Sequence, residues 1–292
     1  MAMRVTHLHL PSSNVKLFYR EQGLATSPVL LMLHGFPSSS HQYRKLIPLL
    51  SQKYRLIAPD LPGFGFTEAP SEFKYSFATL ADTIAEFLDA LSISKFAIYI
   101  FDYGAPVALR IALKRPNAIT AIVTQSGNAY EEGLGSFWDP IKDYWSSGNS
   151  SNIRSKLKQA LLTFEATKWQ YEEGSTDLHK IMPESYWLDY VLLQRPGNAD
   201  IQLDLFKDYE NNVKLYPEFQ KYFRQTQVPL LAVWGQNDPI FSVAGVHPFI
   251  RDLPGAEIHL LDAGHFAAET DPEIIAHLVL AFFEKKKVGA QV

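Results

Sequence analysis

The chain of 292 residues contains no cysteine. That absence excludes disulfide bridges, thiolate nucleophiles and cysteine-ligated metal centres. No apolar run approaches the ~18 residues of a membrane-spanning helix. The opening Met-Ala-Met-Arg-Val-Thr-His-Leu-His-Leu lacks the apolar core of a secretory signal, so a cytoplasmic protein is expected. There is little excess of either charge: 27 basic against 31 acidic residues leave a net −4. This argues against nucleic acid or an anionic membrane as the main partner. Gly63-x-Gly65 is not followed by Lys-Ser/Thr, so it reads as a turn and not as a phosphate loop. His7, His9, His41, His179, His247, His259 and His277 show no metal-ligand spacing, and neither metal nor cofactor is expected. Repeats and low-complexity segments are also missing. Only the tail from Glu284-Lys285-Lys286-Lys287 onward reads as loose.

What is present is the composition of an ordinary globular protein with a large core, 47% hydrophobic and 20% charged. Strands are expected over Val5–Leu10, Val15–Tyr19, Val29–Leu33, Tyr54–Ala58, Phe96–Phe101 and Ile119–Val123. Amphipathic helices fall between them, among them Phe77–Leu91 with apolar residues at Leu80, Ile84, Phe87, Leu88 and Leu91. The alternation predicts a mainly parallel sheet covered on both faces, an α/β fold. It stops between Asn128 and Tyr216. That stretch lacks strong strands and holds four of the five Trp, and it reads as short helices including Ile153–Phe164 and Tyr186–Leu193. The expected organisation is a core of residues 1–127 and 217–292 with an inserted helical cap at 128–216. The rhythm resumes with strands Val228–Trp234 and Glu257–Leu261, and with helices Val246–Leu253 and Pro272–Phe283.

Three acid or base side chains follow core strands. Asp102 ends the apolar run Phe96–Phe101 and is followed by Tyr103 and Gly104, after which small and apolar residues recur at helical spacing. A carboxylate at the end of a buried strand is costly unless it is paired or used. Asp238 follows the strand ending at Trp234, and His265 follows the strand ending at Leu261. In a parallel sheet the strand C-termini share one edge, where ligands bind. His34-Gly35-Phe36-Pro37 also follows a strand and should reach that edge.

His-Gly-Phe-Pro at 34–37, Asp-Leu-Pro-Gly-Phe-Gly at 60–65, Asp102-Tyr-Gly, Trp-Gly-x-x-Asp at 234–238 and Gly-His at 264–265 occur in family order. Together they resemble the α/β-hydrolases that use an aspartate nucleophile, the group holding epoxide hydrolases and haloalkane dehalogenases. The resemblance covers nearly the whole chain. Asp102 stands where a nucleophile elbow usually carries serine, and Ile100 replaces the first glycine of that motif.

A carboxylate with an ordinary pKa of ~3.9 is ionised without help from a base. It is suited to displacing a leaving group from saturated carbon, giving an alkyl-enzyme ester. The resemblance implies that His265 activates the water that opens this ester and that Asp238 orients His265. It also implies that the backbone N–H groups of Phe36 and Tyr103 form the oxyanion hole. His34, Trp138, Trp145 and Trp187 are expected to line a mostly apolar pocket for a small uncharged organic substrate. Epoxide opening is favoured over halide displacement, because Phe36 offers no side-chain donor to a halide while a cap tyrosine can protonate an alkoxide. The resemblance implies one or two such tyrosines, with Tyr209 at the second position and Tyr144 as the choice for the first. The aliphatic Ile100 leans toward a dehalogenase. No Arg follows Asp102 within one turn, which weakens a haloacid reading. The alternative from another class is a ligand-binding or lyase protein on the same fold. A monomer or homodimer is expected.

Overall fold

The computed structural model describes residues 2–289. Its eight strands form one sheet: β1 (Arg4–Leu10), β2 (Val15–Gln22), β3 (Val29–Leu33), β4 (Arg55–Pro59), β5 (Phe96–Phe101), β6 (Ile119–Gln125), β7 (Leu230–Gly235) and β8 (Glu257–Leu261). Their order is β1-β2-β4-β3-β5-β6-β7-β8. The β1–β2 and β2–β4 pairings are antiparallel, and every pairing from β4 to β8 is parallel.

The apolar runs follow from burial on both faces. In β5 every residue is buried, and alternate side chains enter different clusters. Phe96, Ile98 and Ile100 join the helices Phe77–Ala90 and Gly104–Lys114, while Ala97 and Tyr99 face the helix Pro272–Lys285. The helix Phe77–Ala90 starts at a capping box in which Ser76 and Thr79 satisfy each other's backbone N–H.

Between β6 and β7 the chain is helical: Asp139–Ser146, Ser151–Leu161, Phe164–Glu172, Pro183–Leu193, Asn198–Asp208 and Glu210–Thr226. The single helix expected over 153–164 ends at Leu161, and a second starts after the N-cap Thr163. The helix Glu210–Thr226 runs through Pro217, so the boundary expected at 216/217 falls inside one continuous element. The helix expected at 246–253 shrinks to Phe249–Asp252. The described part of the tail is not loose. Val288 donates its N–H to the Phe283 carbonyl at 2.9 Å and packs on the core. Residues 290–292 lie outside the described residues.

Candidate active site

β5 ends in a strained turn. Asp102 has φ +46°, a left-handed conformation that costs a non-glycine residue about 1–3 kcal/mol. The turn closes when Ala105 donates its N–H to the Asp102 carbonyl at 3.0 Å, and the helix Gly104–Lys114 begins at once. Two glycines make room. A Cβ at Gly104 would meet the Leu33 carbonyl, and a Cβ at Gly35 would collide with the Asp102 carboxylate itself. The loop after β3 therefore passes directly over Asp102. The Phe36 N–H donates to Asp102 Oδ1 at 2.6 Å, and the Tyr103 N–H also donates to this carboxylate.

Asp102 is 4% exposed. Burial raises its pKa to about 6, against the opposing pull of the His265 charge and of the Tyr103 and Phe36 N–H groups. The Asp238 charge adds a smaller upward push. It is therefore a weaker acid than the ordinary carboxylate expected from sequence, though still about nine-tenths ionised at neutral pH.

His265 follows β8 and is fully buried, with its ring 4.6 Å from Phe101 between centroids. Its Nδ1–H donates to Asp238 Oδ2 at 2.9 Å. Asp238 Oδ1 accepts the N–H groups of Ile240 and Phe241 at 2.8 and 3.1 Å, so the acid is fixed from both sides. With Nδ1 as donor, Nε2 carries the lone pair, and it has no hydrogen-bond partner among the described residues. Burial pushes the His265 pKa down, but the charge and hydrogen bond of Asp238, with the charge of Asp102, outweigh burial and raise it. Gln125 holds the loop by donating to the His265 carbonyl at 3.0 Å.

Residues 28–272 match the model of the alpha/beta hydrolase fold family. An uncharacterized hydrolase of Saccharomyces cerevisiae is 51% identical over 271 residues, covering 92% of this chain and 93% of that protein. The chain belongs to the α/β-hydrolase family. Epoxide hydrolase 2 of Caenorhabditis elegans is 22% identical over 284 residues, 92% of this chain and 77% of its own length. The crystal structure of the haloalkane dehalogenase DbeA from Bradyrhizobium elkani superposes with a TM-score of 0.79 at 20% identity, covering 99% of this chain and all of that one.

In this hydrolase Tyr209 sits where the helices Asn198–Asp208 and Glu210–Thr226 meet, and its ring turns inward. It is fully buried among Trp138, Phe77 and Tyr103, with centroids at 4.5, 5.5 and 5.8 Å. Its hydroxyl lies 3.2 Å from that of Tyr216, which accepts from Asn128 Nδ2 at 3.2 Å. Burial raises the pKa of both phenols, and both feel the Asp102 charge. Tyr216 was not singled out from the sequence. The signal was its place seven residues after Tyr209, two turns along one helix.

Other expected residues lie elsewhere. The Tyr144 hydroxyl donates to Asn149 at 2.6 Å and accepts from Arg154 at 2.9 Å, a junction between two outer helices, so it is not a donor facing Asp102. His34 does not reach a substrate either. Its Nε2 accepts the Leu61 N–H at 2.9 Å, its Nδ1 then donates to the Gly35 carbonyl at 3.0 Å, and burial lowers its pKa. It is a neutral strut between the loops after β3 and β4. Asp60 plays a similar part by accepting the Ser40 and Phe66 N–H groups, both at 2.8 Å.

Trp138 and Trp145 keep their rings beside Tyr209, yet their indole N–H groups go to the carbonyls of Ile240 and Phe206 at 2.9 and 2.8 Å. Trp187 is 51% exposed and leans on Phe164, so it lies at the surface. Among the described residues no group of three or more His, Asp or Glu side chains is arranged to hold a metal, and no helix is long and apolar enough to cross a membrane.

Proposed function

We propose that this hydrolase opens epoxides to diols through an ester formed on Asp102, with Tyr209 as proton donor. The observation that carries the reading is the Tyr209–Tyr216 hydroxyl pair, with the Tyr209 ring 5.8 Å from that of Tyr103, the residue after Asp102, in a site whose tryptophan N–H groups are committed elsewhere. Trp138, Trp145 and Trp234 give their indole N–H to backbone carbonyls, and Trp169 and Trp187 are 37% and 51% exposed. None is left to face a departing halide. An opening epoxide needs a proton, which a phenol can give.

The steps follow from the donors and acceptors. One Asp102 oxygen attacks an epoxide carbon while the other stays on the Phe36 N–H. The carbon–oxygen bond breaks, and the alkoxide takes the Tyr209 proton. Asn128 donates to Tyr216, and Tyr216 can donate to Tyr209, so the chain of hydroxyls supports the phenolate that forms. Water then attacks the ester carbonyl carbon and gives a proton to His265 Nε2, whose imidazolium is stabilised by Asp238. The oxyanion of the tetrahedral intermediate lies on the Phe36 and Tyr103 N–H groups. Collapse passes the His265 proton to the departing alkoxide oxygen, which leaves as the diol, and the acid left on Asp102 gives its proton back to Tyr209, restoring the carboxylate. The substrate class is a small, uncharged, largely apolar epoxide, in keeping with the rings of Phe36, Tyr103, Phe206 and Trp138 that pack beside Asp102 and Tyr209.

The test is a panel of epoxides and haloalkanes with diol and halide detection. Diol from an epoxide, lost in Tyr209→Phe, supports the reading. Halide from a haloalkane with no diol from any epoxide overturns it.

A further inference from the structure

Arg110 lies two turns after Asp102 on the helix Gly104–Lys114. It is 8% exposed, and burial pushes its pKa down. Its hydrogen-bond partners are neutral. Nη1 donates to the Asn212 side-chain oxygen and, at 3.3 Å, to the Pro106 carbonyl, and the guanidinium lies 5.9 Å above the Phe77 ring. No carboxylate forms an ion pair with it among the described residues. Asp208 acts at longer range, its own carboxylate taken up by the Phe77 N–H at 2.7 Å and by Asn211 at 2.8 Å. A buried cation without a paired counter-ion is costly, and the two neutral hydrogen bonds, the Phe77 ring and the longer-range Asp208 charge do not offset the whole of that cost in the resting site.

The ring-opening step does. It moves one negative charge from Asp102, which becomes a neutral ester, to Tyr209, which becomes a phenolate. Besides Asp208, Tyr209 is the group whose negative charge Arg110 attracts. The Phe77 ring that Arg110 covers meets the Tyr209 ring edge-on at 5.5 Å. Asn212, which Arg110 grips, donates its own N–H to the Tyr209 carbonyl at 2.8 Å. The groups that act most strongly on the Tyr209 hydroxyl are Tyr216, Asp102 and Tyr103, and none of these is a cation.

We propose that Arg110 is the positioning and counter-charge residue for Tyr209: it ties the turn 209–212 to the nucleophile's helix and stabilises the phenolate formed when Tyr209 protonates the opening epoxide. The ledger of atoms closes without another reactant. The Asp102–carbon bond forms, the epoxide carbon–oxygen bond breaks, and the Tyr209 proton goes to the alkoxide. The proton released when hydrolysis regenerates the Asp102 carboxylate returns to Tyr209. A preorganised charge of this kind acts on ester formation and not on ester hydrolysis.

This inference rests on the epoxide reading above, and single-turnover kinetics separate the two. Arg110→Gln keeps an amide donor toward Asn212 and removes the charge, while Arg110→Lys keeps the charge. Ester formation should slow about 10²-fold in Arg110→Gln and stay within about fivefold in Arg110→Lys, with ester hydrolysis nearly unchanged in both. Replacing Tyr209 by the more acidic 3,5-difluorotyrosine should speed Arg110→Gln more than it speeds wild type, which a merely structural loss would not do. Equal rates for Gln and wild type, equal losses in Gln and Lys, or a matching loss in ester hydrolysis would overturn the inference while leaving the epoxide reading intact. If Arg110→Gln does not fold, Arg110→Lys decides alone, and a loss beyond about thirtyfold in its ester formation overturns the proposal. Wild type that yields no diol from any epoxide removes both readings.

Discussion

Lowering the pH should switch off the first chemical step far earlier than an ordinary aspartate would allow. In the proposed reaction Asp102 attacks only as a carboxylate, and burial at the turn after β5 raises its pKa to about 6. The ionised fraction is then about nine-tenths at pH 7 and about one-tenth at pH 5, so ester formation should fall roughly tenfold over that interval. A solvent-exposed aspartate of pKa ~3.9 would still be more than nine-tenths ionised at pH 5 and would lose almost nothing. Tyr209 keeps its proton throughout, because burial holds its phenol well above the ordinary value. The assay is a rapid-quench single turnover of excess enzyme with an epoxide, scoring the alkylated protein by mass, so that the His265 step does not enter. A rate flat to within twofold between pH 7 and pH 5 would refute the argument that burial of Asp102 outweighs its two N–H donors and the nearby His265 charge.

The same burial predicts a stability effect. The folded-state pKa of Asp102 lies above its unfolded value, so ionised Asp102 destabilises the fold above pH 6 and this penalty fades as pH falls toward 4. Asp102→Asn should be inactive yet more stable than wild type at pH 8 by on the order of 1–3 kcal/mol, with the gain shrinking below pH 6, as read from denaturant melts. Tyr209→Phe should cut ester formation about 10²–10⁴-fold and Tyr216→Phe less, with ester hydrolysis spared in both by single-turnover kinetics. Gly35→Ala should place a methyl group against the Asp102 carboxylate and slow ester formation by about 10²-fold, with the circular dichroism spectrum unchanged.

The parts of the site that hang from strand ends were legible in the sequence. β3, β5 and β8 occupy the ranges read from the sequence; Asp102 directly follows its strand, and Asp238 and His265 stand shortly past theirs at the C-terminal edge. Parallel pairing alone brings such residues together, with His265 and Asp238 at 2.9 Å. Residues in the helical segment were harder to place, because a hydroxyl there has no period that fixes its partner. Tyr144 and Tyr209 were both expected as donors, yet the hydroxyl of one is held by Arg154 and Asn149 and that of the other pairs with Tyr216. His34 read as a lining residue because its neighbours do reach the site, while its own two nitrogens were taken by Leu61 and Gly35. Arg110 gave no signal, since a lone arginine on a helix is usually solvated, and only its burial beside neutral partners marks it.

The central claim is that Asp102 itself carries the substrate as an ester. A single turnover of an epoxide with excess enzyme in ¹⁸O water tests it directly, with the Asp102 peptide and the diol both read by mass spectrometry. The account predicts ¹⁸O in the Asp102 side chain and an unlabelled diol, because the oxygen delivered to carbon comes from the carboxylate and is replaced from water. Label in the diol with none at Asp102 would mean that water attacks the epoxide directly, and would contradict it.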